Sequence, residues 1–142
     1  MALNNIPKWL VITFAIAALI GFVDSSYLTA EHYRGVIPPC AAIRGCEQVL
    51  TSAYSVVAGV PVSVGGMLYY GLLLVLLIAF FDTQDRRLLR AACWLTIGGF
   101  LATLYFIYLQ AFVLHAFCQY CLLSAFVSLV LITVSARIMR VD

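Results

Sequence analysis

Four apolar stretches, each long enough to cross a bilayer as a helix, run along the chain at residues 9–28, 61–81, 91–114 and 118–136. A helical crossing takes about 20 residues, or roughly 30 Å at 1.5 Å per residue, so each stretch predicts one span. Residues 29–60 form the one long polar connection, residues 82–90 a short charged turn, and residues 115–117 leave room only for a tight bend. Pro61 suits the first position of a new helix. Within the long connection Val49, Leu50, Ala53, Tyr54 and Val57 recur at helical spacing, which predicts a short amphipathic helix over 47–57, lying in the interface as a lid. The predicted fold class is all-α: an integral membrane four-helix bundle with one long outer loop carrying a short interfacial helix, residues 1–142 forming a single domain. The polar lead at 1–8 and the lack of a small-residue cleavage site after the first apolar run read as a retained signal anchor.

Composition agrees with this pattern. Apolar residues make up 65% of the chain and charged ones 10%, and the mean hydropathy is +1.08, values that exclude a water-soluble domain and call for a lipid bilayer. The net charge of +2 comes without any basic run, so nucleic acid is excluded as a partner. Position matters more than sum. Lys8, Arg86, Arg87, Arg90, Arg137 and Arg140 fall on one side of the predicted spans, and only Arg34 and Arg44 on the other. This asymmetry predicts cytoplasmic termini and an outer or lumenal 29–60 loop, with Trp9 and Trp94 near the inner interface.

The same topology sorts the cysteines. Cys40, Cys46, Cys118 and Cys121 fall on the outer, oxidising side, and Cys93 alone lies at the inner end of a helix, as a small packing residue. Cys118 and Cys121 are one helical turn apart at the head of the last span, a spacing that lets two sulfurs join and part with little backbone movement. Cys118, at the helix N-terminus, is the natural thiolate, because unpaired N–H groups and the macrodipole favour an anion there. Cys121 lies roughly 4 to 5 Å deeper, toward hydrocarbon. Cys40 and Cys46 form a second pair in the loop, approached by Pro38 and Pro39 and followed through a turn at Gly45. A mobile pair beside a fixed pair suits relayed thiol–disulfide exchange, which proceeds through mixed disulfides. A static staple of Cys40 to Cys46 with an inert helical bridge fits less well, since short loops gain little from cross-linking.

The chain resembles the vitamin K epoxide reductase family in its small bacterial form without a fused thioredoxin-like domain. The resemblance rests on Cys40-x5-Cys46, on the run Gly45-Cys46-Glu47-Gln48-Val49-Leu50-Thr51-Ser52, on Gly59-Val60-Pro61-Val62-Ser63 leading to Gly66-Met67-Leu68-Tyr69-Tyr70, and on Phe117-Cys118-Gln119-Tyr120-Cys121. The chain is more distantly similar to the quinone-linked thiol oxidases of bacterial inner membranes, whose helical C-x-x-C comes in the first outer loop rather than last. The resemblance implies an electron path from a periplasmic or lumenal thioredoxin-like protein to a membrane quinone, ubiquinone or menaquinone. Along it Cys40 exchanges with the partner, Cys46 with Cys118, and Cys121 reacts with the quinone. It also implies that Ser52 donates a hydrogen bond to a quinone carbonyl as charge develops there, where a bland reading has the hydroxyl satisfied by its own backbone. Animal relatives carry a polar residue soon after the C-x-x-C; here stand Leu122, Leu123, Ser124 and Ala125, which implies quinone rather than epoxide as oxidant. Four spans without a lumenal retention signal point to a bacterial inner membrane.

Other residues carry weaker expectations. Asp24, inside the first span, reads as a functional group by default or as a hydrogen-bonded carboxylate near the interface. His115 steadies a thiolate, relays a proton or marks the interface. Tyr69, Tyr70, Tyr105 and Tyr108 are equal candidates to line a ring pocket, and Gly65-Gly66 and Gly98-Gly99 are expected to let helices approach closely. The competing function classes are a metal-binding tetraspan, with four outer cysteines on zinc, and a structural membrane adaptor. The loop spacing is loose for zinc, and an oxidising compartment works against four free thiolates.

Overall fold

A computed structural model describes residues 6–39 and 45–141. In chain order the elements are α1 (Lys8–Arg34), α2 (Cys46–Leu50), a 3-10 turn (Ala53–Ser55), the two-residue strands β1 (Val56–Val57) and β2 (Val60–Pro61), α3 (Val62–Thr83), α4 (Arg86–Tyr108), a π-helical turn (Leu109–Val113) and α5 (Gln119–Val141). Four helices, Lys8–Arg34, Val62–Thr83, Arg86–Val113 with its π turn, and Gln119–Val141, are long and apolar enough to cross a membrane. The expected four spans are therefore present.

Their ends differ from the apolar stretches for identifiable reasons. α1 continues six residues past position 28, because nothing stops it until Gly35, whose φ of 71° makes a left-handed cap. There Gly35 N–H donates to His32 O (3.1 Å) and Val36 N–H to Glu31 O (3.0 Å). Polarity marks where a helix leaves hydrocarbon, not where it ends. α4 starts at Arg86 rather than 91, since the Asp85 carboxylate caps it by accepting from Arg87 N–H at 2.9 Å. Pro61 is not the first helical residue but the one before it, with φ −60° and ψ 142°. The helix expected over 47–57 forms only as α2 and the 3-10 turn. The Ser52 and Ser55 hydroxyls fold back onto Val49 O and Ser52 O, each at 2.8 Å, and such local bonds compete with helix. A hairpin then pairs Val56 with Pro61 and Val57 with Val60, turning at Ala58 (φ 54°) and Gly59 (φ 81°).

α1 packs on α3 and α5, and α4 packs on the same two helices, closing a four-sided ring. Burial is divided by depth. Leu10, Phe14, Leu73, Leu77, Phe80, Leu89, Ala92, Leu131 and Ile138 fill the half of the bundle farthest from the loop. At the loop end the facing positions are small or hydroxylated, among them Gly65, Gly98, Ala102, Thr103, Ser124 and Ser128, and the helices enclose a cavity of about 980 Å³. The outer surfaces carry Ile12, Leu68, Val75, Leu101 and Phe126, each more than half exposed. Such faces suit lipid rather than water.

Candidate redox site

Cys118 directly precedes α5 and Cys121 lies one turn inside it, as the C-x-x-C spacing predicts; Cys46 opens α2. Cys46 and Cys118 are 1% and 0% exposed and share a small buried cluster with Val49 and Ala116, against which Leu114, Tyr120 and Cys121 pack. Cys46 is disulfide-bonded, while Cys118 and Cys121 are thiols. Cys40, the other expected loop cysteine, lies outside the described residues.

Backbone contacts hold Cys46 beside Cys118. Gly45 sits so close to Phe117 that an added Cβ would overlap the Phe117 carbonyl oxygen and lie 2.9 Å from its nitrogen. Gly45 lies in the turn that leads into α2, as expected from the sequence, and with its φ of −164° it is the close approach to Phe117 rather than a left-handed backbone that calls for glycine. Gln110, 3% exposed, organises the other side. Its carbonyl accepts from Ala116 N–H and its side-chain Oε1 from Cys118 N–H, both at 3.0 Å. It lies in the π turn, an irregularity often found at functional sites. The two residues between the cysteines face the loop: Tyr120 Oη donates to Pro39 O at 2.7 Å and Gln119 Nε2 to the same oxygen at 3.4 Å. Gln110→Leu leaves the buried Cys118 N–H without an acceptor, and a loss of about 1–3 kcal/mol is expected, measurable by thermal unfolding.

Cys118 stands just outside the span that begins at Gln119. A hydrogen bond from the Cys121 thiol holds its pKa down to about 7 against the opposing effects of burial and of the Asp24 charge. A lowered thiol pKa means that the thiolate, the exchanging species, is present above that pH and lost below it. The ultraviolet thiolate signal of the reduced protein should therefore rise through about pH 7, and Cys121→Ala should move that rise toward the ordinary value of 9.0.

The cavity meets only one of these sulfurs. Its lining includes Cys121, Ser52, Asp24, Tyr69 and Tyr70, and neither Cys46 nor Cys118. On one wall Tyr70 Oη lies 2.9 Å from Ser124 Oγ and 3.4 Å from Ser128 Oγ, and Thr103 Oγ1 lies 3.0 Å from Ser128 Oγ. Two buried polar atoms of lining residues, Asp24 Oδ2 and Tyr69 Oη, have no hydrogen-bond partner among the described residues.

The four tyrosines separate: Tyr69 and Tyr70 line the cavity, whereas Tyr105 and Tyr108 are each 54% exposed on the outer face. Ser52 also lines the cavity, but its hydroxyl donates to Val49 O. His115 is exposed, holds a left-handed φ of 52° in the bend before Cys118, and does not line the cavity. Asp24 is buried on α1, ten residues before the helix ends at Arg34. Cys93 is buried in the core at the far end. The glycine pairs divide their work: Gly66 and Gly99 abut Ser25 and Tyr69, while Gly65 and Gly98 face open space in the cavity. Gln110 escaped the sequence reading, although a lone amide in an apolar span is the kind of signal that marks an intramembrane polar role. Ser128 and Thr103 escaped it because only packing brings them together.

Among the described residues no three His, Cys, Asp or Glu side chains gather as a metal site. No curated protein matches the chain. Residues 12–136 match the family model described as the vitamin K epoxide reductase family. With that match over most of its length, four membrane-spanning helices and a C-x-x-C thiol pair whose second sulfur lines the cavity, the chain belongs to the vitamin K epoxide reductase family of membrane-embedded oxidoreductases.

Proposed function

We propose that the protein oxidises the thiols of a thioredoxin-like partner and passes the electrons through Cys40/Cys46 and Cys118/Cys121 to a membrane quinone, so driving disulfide formation. The observation that carries this reading is the division of the sulfurs: Cys46 packs with Cys118, and among the described cysteines Cys121 alone lines the cavity. A relay between a protein and a lipid-soluble oxidant needs that division. The asymmetry of the basic residues supports an orientation with the cysteines outside and the termini in the cytoplasm.

The partner's dithiol reduces a Cys40–Cys46 disulfide and leaves as a disulfide. Cys46 thiolate then attacks Cys118 of the oxidised helical pair; the Cys46–Cys118 bond forms and Cys121 departs as thiolate. Attack of Cys40 on Cys46 frees Cys118 and restores the loop disulfide. Bound in the cavity, the quinone supplies a two-electron, two-proton sink for the reduced helical pair. An apolar cavity of about 980 Å³ is at the upper end of small-molecule sites and suits a flat ring with an isoprenoid tail. In this reading Tyr69 Oη and the hydroxyls of Tyr70 and Ser124, all on cavity-lining residues, would hold the ring carbonyls. Ser52 joins them if its hydroxyl leaves Val49 O.

The test is anaerobic mixing of reduced protein with ubiquinone and menaquinone analogues while quinone absorbance is followed. One quinone is consumed per helical disulfide formed if the reading holds. Unchanged absorbance with both analogues overturns it.

A further inference from the structure

Asp24 takes no part in the relay as written, yet it is the acidic group lining the cavity. It is 7% exposed on α1, and its Oδ2 has no hydrogen-bond partner. The other titratable groups around the cavity are Cys121, His32, Tyr54, Tyr69, Tyr70 and Tyr120. Among the described residues no lysine or arginine lines the cavity, and none forms an ion pair with this carboxylate. Glu31 shows the contrast: equally buried on the same helix, it is bound by Arg34 at 2.8 Å. The second oxygen of Asp24 can be satisfied by a proton or by a donor inside the cavity, and an unpaired buried carboxylate is otherwise costly. Asp24 and Cys121 line the same cavity. Asp24, Leu28 and His32 follow at i, i+4 and i+8, all three lining the cavity, with His32 exposed at its mouth. One face of α1 thus joins the buried carboxyl to the surface, about 12 Å away.

We propose that Asp24 is the proton-transfer group of the cavity, protonating Cys121 when that sulfur is expelled and taking the proton back when the helical disulfide re-forms. This rests on the relay described above. In the first half-reaction Cys46 bonds to Cys118, the Cys118–Cys121 bond breaks with its electron pair on Cys121, and the Asp24 carboxyl gives its proton to that thiolate. In the second, the Cys121 S–H proton returns to Asp24 as Cys118 and Cys121 join, and the two electrons pass to the quinone. Its two oxygens receive the carboxyl proton and the Cys118 proton, and Asp24 regains a proton from water along the His32 face. The sum is partner dithiol plus quinone giving partner disulfide plus quinol.

The first half-reaction needs no quinone, and it is the test. Full-length protein with its helical pair oxidised is mixed with a small dithiol, and Cys118–Cys121 reduction is followed in wild type, Asp24→Asn and Asp24→Glu. Asp24→Asn should slow the step on the order of a hundredfold, as loss of a general acid does, with Asp24→Glu recovering most of it. Redox-difference infrared spectra should show a carboxyl band that changes with the state of the pair and is missing in Asp24→Asn. Wild-type rates in Asp24→Asn, or no redox-linked carboxyl band in wild type, overturn the proposal. A glutamate variant as slow as the asparagine one also overturns it, in favour of a packing role. Failure of the wild type to reduce quinones would count against the proposed function and leave this half-reaction to be judged on its own.

Discussion

Cys121→Ala is expected to abolish quinone reduction and to trap a disulfide between Cys46 and Cys118. Cys121 is the sulfur that lines the cavity, so its removal takes away the group that reaches the oxidant, and a loss on the order of a thousandfold or more follows. The trap follows from packing. Cys46 and Cys118 share one buried cluster with Val49 and Ala116; in the variant the Cys118 thiolate attacks Cys46 of the loop disulfide and expels Cys40, and without Cys121 only the return of Cys40 can undo the bond. Non-reducing peptide mapping of the variant reads the linkage directly. A Cys40–Cys118 bond in its place would show that the order of exchange is reversed in the loop.

The second large effect is expected at a residue with no side chain. A methyl group at Gly45 would overlap the Phe117 carbonyl oxygen, and both atoms in conflict belong to backbone that cannot rotate away. The chain carrying Cys46 must therefore back off from Cys118. Thiol–disulfide exchange needs the sulfurs in line, and a displacement near 1 Å can cost about a hundredfold. Gly45→Ala should slow electron transfer from the loop pair by about that factor. It should leave oxidation of Cys118 and Cys121 by quinone near the wild-type rate, because the cavity wall is untouched. Rapid-quench thiol counting separates the two steps, and equal slowing of both would place the effect elsewhere.

What could be read from the chain alone follows from the range of each interaction. The four spans and the placing of Cys118 ahead of Cys121 depend on composition and on helical period, both local, and they stand in the structure. Helix ends were less legible: α1 runs on to the Gly35 cap because polar residues such as Glu31 and Arg34 are good helix formers outside the bilayer. The expected lid helix shrank to α2 because hydroxyl side chains at 52 and 55 claimed the carbonyls it needed. The cavity could not be read at all. It is built from absent volume, at Gly65 on one helix, Gly98 on another and Ser124 on a third, and nothing local says that these positions face each other. Likewise Gly45 announced a turn by its type, and the turn is there, but its close contact with Phe117 could not be read from the chain.

The central claim is that electrons from the loop pair can reach a quinone only through the helical pair. Reduced wild-type protein, given one equivalent of quinone without oxygen and quenched over time, should show the Cys118–Cys121 disulfide first. The Cys40–Cys46 disulfide should then grow at its expense. In the Cys118→Ala, Cys121→Ala double variant the loop disulfide should not form from quinone at all; its appearance at the wild-type rate would contradict the account.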